Sequence, residues 1–395
     1  MTQTTVQNRK ILIVGAGIGG LAAAVILSQR GARVTVLDQT EAITEVGAGL
    51  QISPNGFAVL RAMGLGEAAR AAAVAASGVT LHDYRKGAVT SLGMGGRDFL
   101  LFHRADLIDV LHDAARQAGA RILLLQKVQD VEPGPRPRVV LASGAVTDAD
   151  IVIGADGLHS VVRRALNGAE APFFTRQVAW RAVVENRTAR RDDIQVHMGP
   201  HRHLVSYPLR GGSLMNLVAV QERAAWAAES WSQTDDPVAL RAAFDDFGPE
   251  AQTLLAQVEQ VNLWGLFRHK IAQNWHAPGV TLLGDALHPT LPFMAQGANM
   301  ALEDGWVLAD ALTAADTAEA AFAAYRAQRE ARVRRAVTAA NGNAHKYHLS
   351  FGPLRWAAHC GLRVAGRVAP GAMMRSLDWL YRHDVTQGSD ARSRR

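Results

Sequence analysis

The sequence predicts an α/β chain in which a parallel sheet is interrupted by a mostly antiparallel one, and three observations predict it. Lys10 to Asp38 reads as strand, glycine turn, helix and second strand. Two later apolar runs, Ile151–Gly154 and Val280–Leu283, also run into glycine and aspartate. Between them, from Phe173 to Gln221, the apolar pattern changes to alternation, which marks an antiparallel sheet inserted into the first domain.

The first unit carries Gly15-Ala16-Gly17-Ile18-Gly19-Gly20 directly after the run Ile11-Leu12-Ile13-Val14. Gly15 permits the turn, Gly17 lets backbone approach a pyrophosphate, and Gly20 lets the helix pack close to the strand. The helix N-terminus offers its N–H groups to the phosphates. Asp38, at the end of the second strand, is placed to accept the hydroxyls of an adenosine ribose. Strand, glycines, helix, strand and acid in register predict a bound dinucleotide.

At 395 residues, the chain is long for one core, and 48% apolar with 20% charged residues excludes disorder. A single cysteine, Cys360, excludes an intramolecular disulfide and a cysteine-ligated zinc site; it fits a reducing cytoplasm and a small core residue. No metal site is expected. The N-terminus lacks the pattern of a secretion signal, and no apolar run is long enough for a membrane span, because Ser28-Gln29-Arg30 ends the best candidate. A soluble, cytoplasmic protein is predicted. The formal charge of +6 comes from dispersed arginines without interleaved aromatics, which excludes a nucleic-acid surface and fits attraction of anionic ligands.

In chain order, Glu45 to Gly56 reads as backbone passing close to something bound or as an ordinary surface loop, and a short helix follows from Phe57 to Met63. Val79–Tyr84 and Val89–Leu92 read as a hairpin, and Ala105–Gln117 as a helix entered by His103-Arg104. Arg121–Leu125, Val139–Leu141 and Val146–Asp148 are scaffold strands. A helix is expected from His159 to Leu166. The alternating runs are Gln177–Val184, Ile194–Met198, His203–Pro208 and Leu214–Val220, covered by helices at Pro237–Phe247 and Glu250–Gln257. Pro289–Gly297 reads as an irregular loop, Ala298–Leu312 as a helix, and Ala318 to about Ala340 as another with alternating charge. The segment to Tyr381 is helical, and Gln387–Arg395 reads as a disordered tail.

Three signatures now stand in order: the glycine run from Gly15, then Gly154-Ala155-Asp156-Gly157-Leu158-His159-Ser160, then Gly284-Asp285-Ala286-Leu287-His288-Pro289. With Leu291-Pro292-Phe293-Met294-Ala295-Gln296-Gly297-Ala298-Asn299-Met300-Ala301-Leu302-Glu303-Asp304, this set resembles the class A flavoprotein monooxygenases, the single-component FAD aromatic hydroxylases. The stretch Gly199 to Gly212 is similar to 3-hydroxybenzoate 6-hydroxylases, salicylate hydroxylases and 6-hydroxynicotinate 3-monooxygenases. The resemblance implies a Rossmann-like FAD-binding domain of glutathione reductase type, assembled from residues 1–75, 101–172 and 269–345. The inserted substrate domain would comprise a hairpin at 76–100 and a sheet at 173–268, with C-terminal helices at 346–386 and the tail at 387–395.

Carried over, the resemblance gives Gly15, Gly17, Gly20 and Asp38 to the ADP half of FAD, Arg104 to the flavin side and Asp285 to the ribityl chain. Asp156 belongs to a motif used for both FAD and NAD(P)H. Without a second glycine fingerprint, NADH or NADPH would visit without a domain of its own. Gly297 and Ala298 stand where a helix begins, so their N–H groups can stabilise negative charge on reduced flavin; the lesser alternative is that Gly297 is only a helix cap.

The implied reaction is NAD(P)H-dependent: O2 and reduced FAD form a C4a-hydroperoxide whose distal oxygen attacks a small hydroxylated aromatic or heteroaromatic acid. Loss of a phenolic proton activates such a ring, and histidine is a fitting base. His203 is the expected base and Tyr207, four residues on along an alternating strand, shares its face. A strand histidine by itself is more often a hydrogen-bonded core residue; the resemblance reverses that weight, and His201, of the same parity, is the rival. Gln296 is expected to orient the substrate hydroxyl and Pro292 to shape the pocket, unless it only stiffens the loop. Trp180, Trp226, Trp231, Trp264 and Phe293 read as core or pocket walls. Leu287, where relatives carry alanine, would narrow the pocket, and Gly305 would weaken its helix by about 1 kcal/mol. Arg181 and Arg210 read as surface pairs. The alternatives are a flavin monooxygenase or oxidase of a larger quinone-precursor or polyketide-like substrate, and a dinucleotide-sensing regulator. The resemblance also allows a homodimer through the C-terminal helices.

Overall fold

Apolar strands without alternation need cover on both faces, and Lys10–Val14, Ile151–Gly154 and Val280–Leu282 find it inside a six-stranded sheet. Its order is His276–Ala277, Val280–Leu282, Ile151–Gly154, Lys10–Val14, Arg33–Leu37 and Arg121–Leu123. All neighbours are parallel except the His276–Ala277 edge. The computed structural model describes residues 6–42, 49–187, 192–224 and 234–387. Residues 45–48 of the expected close-passing stretch, Trp226, Trp231 and the tail from residue 388 lie outside the described residues.

The turn from Lys10–Val14 into the helix Ile18–Gln29 is as tight as glycine allows. Gly15 has φ +103°, and a Cβ there would lie 2.4 Å from the carbonyl oxygen of Ala155. A Cβ on Gly20 would lie 2.0 Å from the carbonyl oxygen of Gly15.

The second sheet has eight strands, in the order Thr234–Asp235, Val261–Arg268, Phe173–Glu185, Leu214–Glu222, Arg202–Leu209, Ile194–Gly199, Gly78–Asp83 and Gly87–Gly93. Only Ile194–Gly199 and Gly78–Asp83 run parallel. The expected hairpin is thus the sheet's edge. One face, with Val178, Trp180, Leu204 and Leu217, forms a separate core with Leu254 of the covering helix Pro249–Leu255 and with Phe244 and Phe247, which follow the covering helix Pro237–Ala243; that helix ends before the expected Phe247. Trp180 donates its indole N–H to Asp235 at 2.7 Å. Alternation sends Arg181, His203, Val205, Tyr207, Val218 and Val220 to the other face, toward the glycine turn.

Several element ends differ from expectation, for local reasons. The expected helix at Phe57 starts at Pro54, whose fixed φ suits the first helical position. The helix expected at His159 starts at Val161 because Ser160 caps it, accepting the N–H of Arg163. The charged helix Ala318–Tyr347 runs through Asn341 and Gly342 to Tyr347, which packs against the main core. The loop before Gly297 contains a 3-10 turn, Pro292–Met294. Gly305 has a packing role: a Cβ there would stand 3.3 Å from the backbone nitrogen of Ala23, so its absence lets the helix Gly297–Ala314 lie against Ile18–Gln29. Cys360 is half-buried on the helix Gly352–Val368. Among the described residues no helix is long and apolar enough to cross a membrane.

Glu303 and Asp304 on Gly297–Ala314 are fully buried and meet Arg329 of the long helix, Asp304 at 2.8 Å. Arg332 pairs with Glu303 at 2.6 Å and donates to the carbonyls of Trp379 and Leu380. Burial pushes both carboxyls up, but Arg329 and Arg332 on Glu303, and His288 and Arg329 on Asp304, outweigh it and hold each at about 2. Arg329→Met leaves two buried carboxylates short of a partner and is expected to lower stability by about 3–5 kcal/mol in denaturant melts. Because both pKa values are depressed on folding, the stability they contribute is present above pH 4.5 and falls away as pH drops toward 2, which an acid titration of the fold reads directly.

Candidate active site

A cavity of about 1050 Å³ separates the glycine turn from the inner face of the eight-stranded sheet. Gly17, Ile18, Ala155, Gly157, Gly284, Asp285, Gly297 and Ala298 line one side, and Arg181, His203, Val205 and Tyr207 the other. Strand ends of the parallel sheet therefore face the side chains that alternation delivers from the antiparallel one.

The first side fits a dinucleotide. Gly17, the N-terminal cap of Ile18–Gln29, has no side-chain cap, and a Cβ there would meet nothing within 4 Å: the helix N–H groups open onto free space. Asp285 lies deep in the molecule, yet exposes its carboxylate to the cavity and takes no hydrogen bond from the described residues. Burial raises its pKa, with Asp304 adding repulsion, against His288 and Arg104. Arg104, the first residue of the helix Arg104–Gln117, is brought down to about 10 by burial and by Arg181, opposed by Asp285. An acceptor and a cation thus stand together, ready for a polar chain.

Two sequence-predicted cofactor residues are occupied within the protein. Asp38 accepts the N–H of Ala16 at 2.7 Å and the N–H and hydroxyl of Thr40, closing the second strand onto the glycine turn. A carboxylate retains further acceptor sites beside these. Asp156 accepts the Ser160 hydroxyl and the N–H groups of Val161 and Val162, so it caps a helix, while its neighbours Ala155 and Gly157 line the cavity.

On the substrate side, His203 is 1% exposed and its Nδ1 lies 2.6 Å from Nε2 of His348. Burial, followed by His348, pushes its pKa well below 6.5, so the imidazole is neutral. Phe293 and Tyr347 each present a ring 5.3 Å from its own. Tyr207 shares the face as its spacing predicts. Burial pushes its hydroxyl pKa well up, against Arg181, and Gly49 leaves it room: a Cβ there would come within 2.7 Å of the phenol. His201 is exposed and lies outside the cavity lining.

Three expectations are corrected. Leu287 is buried in the main core and does not line the cavity; its carbonyl accepts from Arg163 at 3.2 Å. Gln296 borders the cavity, but its amide is committed inward: Nε2 donates to the Ser53 hydroxyl at 3.0 Å and Oε1 accepts from Asn55 at 3.1 Å. It anchors the start of Gly297–Ala314, which opens at Gly297, one residue before the expected start. Arg181 is not a surface pair like exposed Arg210, which meets Asp106. It lines the cavity, stacked 4.6 Å over Trp264. Its signal lay in the parity: Ala179 and Val183 share its face, opposite Trp180. Pro292 lines the cavity as expected. His348 and Tyr347 were missed because they follow the expected end of their helix.

The sequence matches the family described as FAD binding domain over residues 8–340. It is 35% identical to a 3-amino-4-hydroxybenzoate 2-monooxygenase of Streptomyces cremeus, over 87% of this chain and 89% of the relative. It is 34% identical to a 3-hydroxybenzoate 6-hydroxylase of Polaromonas naphthalenivorans, over 86% and 88%. Klebsiella pneumoniae HpxO, solved with FAD and uric acid, superposes with a TM-score of 0.83 at 25% identity, covering 94% of this chain and 97% of that one. Likeness in sequence and in fold spans nearly the whole chain, and the protein belongs to the FAD binding domain family, among its flavoprotein aromatic monooxygenases.

Proposed function

We propose that the protein hydroxylates a small hydroxylated aromatic or heteroaromatic acid, using O2 and electrons from NADH or NADPH. The observation that carries this reading is His203: a neutral, buried imidazole on the cavity wall, beside Tyr207 and Arg181 and across from the helix start at Gly297. FAD, when bound, supplies the electron transfer from NAD(P)H and the activation of O2. Gly15, Gly17 and Gly20 with Asp38 would hold its ADP half, Asp285 the ribityl chain and Arg104 the flavin side, and the N–H groups at Gly297 and Ala298 would face negative charge on its ring.

The protein's own part is to make the ring of the substrate electron-rich and to hold it. Nδ1 of His203 is engaged by His348, which leaves Nε2 to take the phenolic proton. The resulting phenolate directs attack to the carbons ortho and para to its oxygen. Arg181 places a cation in the same cavity for the substrate's carboxylate or phenolate. Phe293, Val205 and Val218 supply apolar walls that exclude water.

The direct test is NAD(P)H consumption by FAD-loaded protein with 3-hydroxybenzoate, 3-amino-4-hydroxybenzoate, salicylate and 6-hydroxynicotinate, with product mass determined. At least one is expected to give a product one oxygen heavier; stimulation that yields only peroxide with all of them overturns the reading. His203→Asn is expected to lower the hydroxylation rate about 10²–10⁴-fold with flavin still bound. Because the pKa of His203 lies well below 6.5 and the base acts neutral, kcat/KM should hold as pH falls to 6.5 and decline only below it. Asp285→Asn removes a charged hydrogen-bond acceptor and is expected to weaken FAD binding by about 1.5–3 kcal/mol, read by fluorescence titration of the apoprotein.

A further inference from the structure

We propose that His203 is the inner end of a proton relay through His348 to Glu222, which carries the substrate's phenolic proton from the closed cavity to solvent. The proposal rests on the hydroxylase reading above. The chain is continuous: His203 Nδ1 to His348 Nε2 is 2.6 Å, and His348 Nδ1 to Glu222 Oε1 is 2.8 Å. Burial falls along it, from His203 at 1% exposure to the Glu222 side chain at 33%. Backbone bonds lock the members together. The N–H of His201 donates to the carbonyl of His348, and the N–H of Glu222 donates to the carbonyl of His201.

The outer anchor fixes the direction of every hydrogen bond. Glu222 also meets His201 Nδ1 at 2.7 Å through Oε2; burial raises its pKa, but the bonds from His201 and His348 outweigh that and keep it ionised. An ionised carboxylate only accepts, so His348 carries its proton on Nδ1 and presents a bare Nε2 inward. His203 must then carry its proton on Nδ1, which leaves Nε2 bare. That is the tautomer a base in the cavity requires. Besides burial, the titratable group that faces His203 is His348; Tyr347 faces its ring, and Lys346 borders the cavity from the same turn.

The transfer balances without a further reactant. The phenol O–H breaks and its proton binds His203 Nε2; the proton on His203 Nδ1 passes to His348 Nε2, and the one on His348 Nδ1 passes to Glu222, which yields it to water. Run in reverse, the same steps reprotonate the product phenolate and restore both tautomers. His203, kept neutral by its burial, is a poor resting place for the proton, and the bond from His348 to the Glu222 carboxylate gives it an onward path. His203 is the group that meets the substrate. His348 and Glu222 are positioning residues that act through it.

The test mixes FAD-loaded protein with 3-hydroxybenzoate in a stopped-flow instrument, following phenolate absorbance and proton release to an indicator dye. Glu222→Gln and His348→Gln are expected to bind the acid, but to form phenolate at least about tenfold more slowly. The pH midpoint of phenolate formation should rise by about one unit. His201→Gln, which removes only the exposed anchor, should shift the midpoint in the same direction, and this keeps the test decisive if the other variants lose FAD. Hydroxylation by the parent protein with unchanged phenolate kinetics and midpoint in the variants overturns the relay alone. Absence of hydroxylation by the parent protein with every acid of the panel overturns the reading beneath it.

Discussion

The cavity depends on one buried ionic cluster. Two adjacent carboxylates, Glu303 and Asp304, are fully enclosed, a condition that costs several kcal/mol per charge unless both are paired and hydrogen-bonded. Arg329 meets both and Arg332 meets Glu303. Their remaining acceptor capacity is directed at the site. Asp304 accepts the N–H of Gly284 and meets His288 at 2.6 Å, which sets the turn that projects Asp285 into the cavity. Glu303 accepts from Asn55, which donates also to Gln296 at the start of Gly297–Ala314. The cluster thereby fixes two cavity features at once: the deep carboxylate and the open helix terminus.

Against that rigid floor, the eight-stranded sheet contributes a surface that alternation makes chemically varied. Arg181, His203 and Tyr207 come from two strands with Leu214–Glu222 between them, so their side chains converge while their backbones stay in a ladder. Charges and dipoles held this way need no reorganisation when charge develops on a bound ligand, and such preorganisation is a large share of catalysis in enclosed sites.

Most of the fold was legible because its signals are local. The glycine turn needs glycine at Gly15 and Gly20 on steric grounds alone, and the change from continuous to alternating apolar runs marked the inserted sheet. The cavity wall was legible where one strand carries the information, as for His203 and Tyr207. It was not legible where the answer depends on distant partners. Gln296 and Asp156 both sit beside the cavity in sequence terms, yet Ser53 and Asn55 claim one side chain and a helix N-terminus the other. Leu287 packs into the main core, and its carbonyl accepts from Arg163, a partner 124 positions away. His348 lies 145 positions from His203 and follows Asn341-Gly342-Asn343, which reads as a helix end; only tertiary packing carries the helix past it.

A cavity that brings a phenolate and activated O2 together yields a product whose new oxygen comes from O2. Turnover under isotopically labelled O2 in unlabelled water, with the product analysed by mass spectrometry, tests this most directly. One labelled atom in the product of a hydroxylated aromatic acid is the expected result. A product whose new oxygen comes from water, or label recovered only in peroxide, contradicts the account.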